Sequence, residues 1–434
     1  MTGSVGGKPT VVIKVGTSSL VAADNTSLSL GNIARLCEVS RDLHRRGFSV
    51  VLVSSGAVGV GCQRLRLGSR PQNLAAKQAL AAVGQLHLMR YYDDMFGALG
   101  LSCAQVLLTL DNFASRSQYL NARNTFEELL KFGVVPIVNE NDTVAVEQLR
   151  FGDNDTLSAQ VATLLRAEWL FLLTDVDCVY TANPNSDPNA EPIHEVHNVA
   201  ELQVDTSTRG TQWGTGGMAT KLTAARIATA AGCKMAISHA AHVERILGIV
   251  GGERLGTVFH PVANALRGRR RWILSVPVKG ELWLDDGAVH AVKQKRKSLF
   301  SVGVKHMTGE FSTDDAVSIC NMSGEEFARG LANYNAADTA LIAGKPNREH
   351  QKLLGYSGSE YLVHRDNISL LPSREDGGVA APGEEGSDEE DDSPDEVDES
   401  NEKAELRGVL SEASLNLIAE AQEDVAELEG NRDS

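Results

Sequence analysis

Val11-Val12-Ile13-Lys14-Val15, running into Gly16-Thr17-Ser18-Ser19, is the stretch on which the fold depends. A β-branched apolar run of this length reads as a buried strand, and the small residues behind it as a turn rich in hydrogen-bond donors. Lys14 inside the run is costly unless its charge meets a partner. An edge strand with the lysine in solvent is the plain alternative. The lysine sits two residues before the turn, where open α/β sheets meet their ligands, and this favours a ligand-facing role.

Outward from that stretch the pattern repeats. Phe48–Val53, Cys103–Leu108, Val134–Val138, Trp169–Leu173, Lys234–Ile237 and Gly256–Phe259 read as strands. Leu30–Gly47, Ala75–Leu99 and Arg123–Phe132 have helical periodicity between them. All-apolar runs separated by helices predict an α/β unit whose parallel sheet is covered on both faces. Polar or glycine-rich sets fall at the strand ends 14–19, 54–61, 139–142 and 174–175, and in the loops 152–155 and 214–221. Each alone is compatible with a plain turn; together they have the layout of an α/β active site.

Gly214-Thr215-Gly216-Gly217-Met218-Ala219-Thr220-Lys221 has the most direct chemical reading. Glycines let the backbone approach a ligand, and the following residues start a helix, whose N-terminal N–H groups and dipole favour phosphate. Lys221 adds a point charge. The chain has no G-x-x-x-x-G-K-[ST] loop, and Ser54–Gly61, read as a second glycine turn, is not G-x-G-x-x-G. Asp155 and Thr156 are candidate helix caps.

Beyond the basic stretch Leu266–Trp272, read as a hinge, the character changes. Short alternating runs at 280–284, 316–320 and 361–363 suggest a small, mostly β barrel. Residues 372–434 carry 22 acidic and 4 basic groups, which accounts for the chain's net charge of −16; the first 371 residues are near neutral at +2. The tail's composition predicts disorder over 373–403, followed by a weak amphipathic pattern from Leu406 to Leu428. Six scattered cysteines without a C-x-x-C pair suit a reducing compartment rather than a disulfide frame. No apolar leader or span of about 18 residues is present, so a cytoplasmic location without membrane contact is expected.

With these motifs in place, the chain resembles the γ-glutamyl kinases, a branch of the amino-acid-kinase family with a C-terminal PUA domain. The resemblance covers about residues 10–370 and is carried by IKVGTSSL (13–20), VSSGAVGVG (53–61), KQALAAVGQ (77–85), VNENDTV (138–144), FGDNDTLSA (151–159), LLTDVDCVYT (172–181) and GTGGMATK (214–221). Small departures are Cys178-Val179 and Asn183, which touch the shape of the adenine pocket.

The resemblance implies a three-layer α/β/α sandwich over residues 1–265 and a PUA-like barrel over 271–371; the acidic tail 372–434 lies outside it. It implies ATP-dependent phosphorylation of the γ-carboxylate of L-glutamate, on the route to proline, with proline as feedback inhibitor. Mg²⁺, a homo-oligomer and a downstream glutamyl phosphate reductase belong to the same expectation. Lys14, Thr174, Asp175, Thr215, Gly216, Gly217, Met218, Ala219, Thr220 and Lys221 would contact ATP; Ser55, Asp142 and Asn154 would hold glutamate. Lys14 and Lys221 are the candidate catalytic cations. Asp153 and Asp155 would position them or metal-bound waters.

Two rival readings stand beside this one. A related kinase could act on N-acetylglutamate, carbamate or aspartate. An RNA-binding protein could use the PUA-like part, where residues 261–371 carry 15 basic and 12 acidic groups. His364-Arg365-Asp366 imitates a protein-kinase motif, but the asparagine and D-F-G that should accompany it are missing.

Overall fold

The computed structural model describes residues 8–21, 28–145, 154–182, 187, 189–199, 202, 217–262, 266 and 268–371. The acidic tail, Asp153, Thr215 and Gly216 lie outside the described residues.

The apolar runs become strands of one sheet. β1 (Thr10–Val15), β2 (Ser49–Ser54), β3 (Cys103–Leu108), β4 (Val135–Glu140) and β5 (Trp169–Thr174) are joined by the later β8 (Glu195–Val196), β9 (Lys234–His239) and β10 (Thr257–Phe259). Their order is β3-β4-β2-β1-β5-β9-β10-β8. The sheet is parallel from β3 to β9; β10 runs antiparallel to β9, a departure from the all-parallel expectation. β6 (Val179–Tyr180) and β7 (Pro192–Ile193) form a separate small ribbon.

Lys14 is thus on a central strand, paired with Val53 on one side and Leu172 on the other, and not on an edge. Alternation then decides where it points. Val12, Leu170 and Leu172 pack in one core layer, while Val11, Ile13, Val15, Phe171 and Leu173 pack in the layer across the sheet. Lys14 shares the face of Val12, because side chains alternate with period two along a strand. That face is covered by helices Asn154–Leu164 and Met218–Ala230, whose apolar residues join the same layer.

Of the glycines of 54–61, Gly56 makes the expected turn after the strand, while the later ones lie inside a helix. This helix, Ala57–Arg64, begins almost directly after β2, with only Ser55 and Gly56 between them and Gly56 held at φ +105°. It packs against the long helix Leu74–Ala98 so closely that a Cβ on Gly84 would sit 1.8 Å from Ala57 O, and one on Gly61 would sit 2.0 Å from Leu80 O. These two glycines are needed for helix contact. Likewise Thr17–Leu20 is one helical turn, and β4 continues through Glu140, so Asn139 is a strand residue.

The remaining strands, β11 (Val278–Leu284), β12 (Val304–Gly309), β13 (Ala316–Cys320), β14 (Glu326–Leu331) and β15 (Ile368–Leu370), form a five-stranded sheet in the order β12-β11-β13-β14-β15. Residues 361–363, read as a strand, contribute only an isolated bridge between Val363 and Leu299. The presumed basic hinge is largely a helix, Gly268–Ser275, and it is firmly held. Trp272 Nε1 donates to Phe113 O at 2.9 Å, and Arg329 donates to Leu274 O at 2.8 Å. Trp272, Ile273 and Val276 are buried in the main core, together with Ala316 and Leu331 of the smaller sheet. The burial of Trp272, which the basic flanks obscured, is what turns a linker into a joint.

Candidate active site

Three side chains from three elements converge on the face chosen by Lys14. Its Nζ lies 2.6 Å from Oδ1 of Asp155. Lys221 Nζ lies 3.4 Å from Oδ2, and Thr220 Oγ1 donates to the same Oδ2 at 2.9 Å. Asp155 is 1% exposed, and the two lysines only 12% and 11%, so salt cannot screen this cluster as it would a surface pair. Burial by itself would raise the Asp155 pKa. The charges of Lys14 and Lys221, with hydrogen bonds from Lys14 and Thr220, outweigh it and bring the group down to about 2. The carboxylate is therefore ionised at neutral pH. Two ammoniums against one carboxylate leave one positive charge, at a place suited to an anion.

Local sequence explains the arrangement. Asp155 occupies the first turn of helix Asn154–Leu164, where a negative charge also meets the positive end of the helix dipole. Its side chain is engaged by Lys14, Lys221 and Thr220. Lys221 lies in the first turn of Met218–Ala230, and Thr220 Oγ1 accepts from Gly217 N–H at 3.1 Å, closing that helix start. Gly217, Met218, Ala219 and Thr220 thus form the described part of the predicted cradle, with Ala219 exposed.

A second cluster is built from amides. Asn154 Nδ2 donates to Ser55 Oγ at 2.7 Å and contacts Asn139 Oδ1 at 3.3 Å. Asn139 Nδ2 in turn donates to Gln85 Oε1 at 2.8 Å. Gln85 follows Gly84, so the close helix contact also brings it toward the strand ends. Gln85 and Asn139 were not among the expected site residues. Asn139 lies in the quoted VNEND run, but an amide in a strand has no signal of its own until its partners are known.

Asp142 follows β4. Burial lifts its pKa to about 6, against the lowering influence of Arg70. Thr174 is buried at the end of β5, one residue past the pairing of Leu173 with Val15, and its Oγ1 donates to the exposed Asp175 at 2.9 Å. Strand ends β1, β2, β4 and β5 thus supply Lys14, Ser55, Asn139 with Asp142, and Thr174 with Asp175, and two helix N-termini supply Asn154, Asp155 and Lys221. Such a site can hold an anion at the lysines and a polar, zwitterionic ligand at the amides.

Comparison with known proteins shows the family to which the chain belongs. The sequence pattern of the Amino acid kinase family matches residues 9–239, and that of the PUA domain matches residues 280–354. The glutamate 5-kinase of Synechococcus elongatus is 53% identical over 364 residues, covering 83% of this chain and 99% of its own. That of Thermosynechococcus vestitus is 52% identical over 362 residues, covering 83% and 98%. The solved carbamate kinase from Giardia lamblia bound to AMP-PNP aligns with 58% of this chain and 99% of its own at 14% identity and a TM-score of 0.44. By its family match and its near full-length relatives, the chain belongs to the amino acid kinase family, and it carries a C-terminal PUA domain.

Proposed function

We infer that this chain transfers the γ-phosphoryl group of ATP to the γ-carboxylate of L-glutamate, giving L-glutamyl 5-phosphate and ADP, the first step of proline biosynthesis. Near full-length identity to glutamate 5-kinases supports the reaction. The observation that carries it physically is the clasp of Lys14 and Lys221 on Asp155.

The chemistry follows from charge. A glutamate side chain, with an ordinary pKa of about 4.3, is ionised at neutral pH, so attack needs no general base. The obstacle is repulsion between two anions. A carboxylate oxygen forms the new bond to phosphorus as the bond to the ADP oxygen breaks, and charge spreads over the transferring group. Lys14 and Lys221 neutralise that charge, held in position by Asp155, with Asp153 as a further acceptor. Thr174, Asp175 and the run Thr215–Lys221 hold the nucleotide. Ser55 and Asn154 orient the glutamate carboxylates, and Asp142 receives its α-ammonium.

The residues fit Mg²⁺ as an ion carried mainly by the nucleotide. Both Asp155 oxygens are engaged by lysine and threonine, which leaves Asp155 and Asp153 to accept from metal-bound waters. When bound, the ion supplies further charge neutralisation on the β- and γ-phosphates.

Proline as feedback inhibitor, a homo-oligomer, a cytoplasmic location and hand-over to a glutamyl phosphate reductase complete the reading. No helix among the described residues is long and apolar enough to cross a membrane. RNA binding by the PUA domain is a secondary role, checked by salt-dependent RNA affinity. The primary test is ADP release with a hydroxylamine trap for the acyl phosphate, using glutamate, acetylglutamate and aspartate, each with and without proline. Trapped product with glutamate alone supports the reading; turnover confined to another acceptor overturns it.

A further inference from the structure

The opposite end of the eight-stranded sheet carries a second constellation that the kinase reaction does not use. β8 and β10 run parallel there, with Val196 opposite Phe259. The next residues, His197 and His260, therefore leave the sheet side by side, and His260 N–H donates to Val196 O at 2.9 Å. Their imidazoles stack with centroids 4.4 Å apart and planes 15° from parallel. Glu195 lies two residues before His197, and its Oε2 is 3.7 Å from His197 Nε2. One ligand atom from each of Glu195, His197 and His260 lies within 4.8 Å of the other two.

His260 gives an independent reason to expect an occupant. Its Nε2 is closed off from solvent and has no hydrogen-bond partner among the described residues. Such a nitrogen normally finds a proton donor, an acceptor or a metal. Arg254 engages Oε1 of Glu195 at 3.4 Å and leaves Oε2 on the histidine side.

We propose that Glu195, His197 and His260 form a binding site for a first-row transition-metal dication, with Zn²⁺ as its reference occupant. Two imidazoles and one carboxylate suit Zn²⁺, Co²⁺, Ni²⁺ or Cu²⁺, whereas Mg²⁺ and Ca²⁺ favour oxygen donors. At bond lengths of about 2.0–2.1 Å, tetrahedral ligand atoms lie roughly 3.3 Å apart, so the side chains draw in and one of the stacked rings turns about its side-chain torsions to aim its lone pair at the ion. Water completes the shell on the exposed side. The ion fastens the end of β8 to the end of β10. Two residues further on, Val262 N–H bonds Thr229 O of the helix that carries Lys221, so the fastening extends toward that helix without entering the reaction.

The test uses the full chain, stripped with a chelator and titrated with ZnCl₂ by calorimetry and Co²⁺ by absorption. One ion should bind per chain, with weak d–d bands typical of nitrogen and oxygen ligands and a rise in Tm with Zn²⁺. His197→Ala, at an exposed position, and His260→Ala should each weaken binding at least ~10-fold, the scale for disturbing a metal shell. Turnover with Mg-ATP and glutamate should remain at the parent level in His197→Ala, which establishes that the fold is intact. No ion at sub-millimolar metal, undiminished binding by His197→Ala, or an intense thiolate band from a cysteine site overturns the proposal.

Discussion

Lys14 Nζ lies 2.6 Å from Oδ1 of Asp155, across the gap between a central strand and the first turn of a covering helix. Lys221 reaches the other oxygen of the same carboxylate at 3.4 Å. Asp155 thus acts as a clamp that lets two like charges share one small volume.

Removing either cation should therefore damage turnover more than folding. Lys221→Ala leaves Asp155 paired with Lys14, so the chain should fold. Loss of an electrostatic stabiliser in a dry site lowers kcat by about 10²-fold or more. Steady-state ADP release, with circular dichroism as the folding control, checks this. A parent-like kcat would remove Lys221 from the catalytic role.

Asp155→Asn should behave differently, because it leaves two buried ammoniums without their counter-charge. Breaking a buried ion pair costs about 3–5 kcal/mol, so chemical denaturation should show a large loss at pH 7. The sign with pH follows from the depressed pKa. The parent's Asp155 contribution is fully present above the unfolded value of about 3.9 and is lost as pH falls toward about 2. The stability gap between parent and Asp155→Asn should narrow over that window. A gap that stays constant from pH 5 to pH 2 would show that the carboxylate is not clamped as described.

Asp142 titrates in the opposite sense. Burial raises it to about 6, so it is largely neutral at pH 5 and ionised at pH 7. An α-ammonium prefers the ionised form, hence KM for glutamate should fall as pH rises through this range while KM for ATP changes little. Asp142→Asn should raise the glutamate KM and flatten its pH dependence. A sloping profile that survives the substitution would assign the titration to another group.

The seam between helices Ala57–Arg64 and Leu74–Ala98 gives a prediction with an internal control. Gly84→Ala places a Cβ against Ala57 O, where backbone must move, and overpacking of this kind costs about 1–3 kcal/mol or more. Gly97→Ala, on the same long helix with open space around it, should be stabilising by about 0.5–1 kcal/mol. Thermal melts of the two variants should move in opposite directions. A drop in Tm for both would point to helix backbone, not the seam, as the cause.

These elements also show what a sequence can disclose. Lys14 stood out because a charge amid apolar residues needs a partner, Asp155 as a cap candidate in a motif of the family it resembles, and β-branched runs located the strands. The alternation of β1 even determines which face Lys14 occupies. Gly56–Gly61 was misleading because a glycine for close backbone approach and a glycine for a turn look identical until the other surface is known; Gly84 supplies that surface. Gln85 and Asn139 lay within quoted stretches but were given no role, for a related reason. Their roles depend on partners 54 residues apart, and no local period encodes such a pairing. The basic run at 267–271 suggested mobility, yet Trp272 behind it is buried.

Gln160 gives the helix Asn154–Leu164 a second attachment, its Nε2 donating to the carbonyl of Ser275 at 2.5 Å. Asp155 and Gln160 are five residues apart, roughly 7.5 Å along one rigid axis. The rod that aims the carboxylate between the lysines is thus anchored at its other end to the segment entering the PUA domain. A displacement of that segment would therefore bear directly on the helix that carries Asp155, since both attachments lie on the same continuous helix.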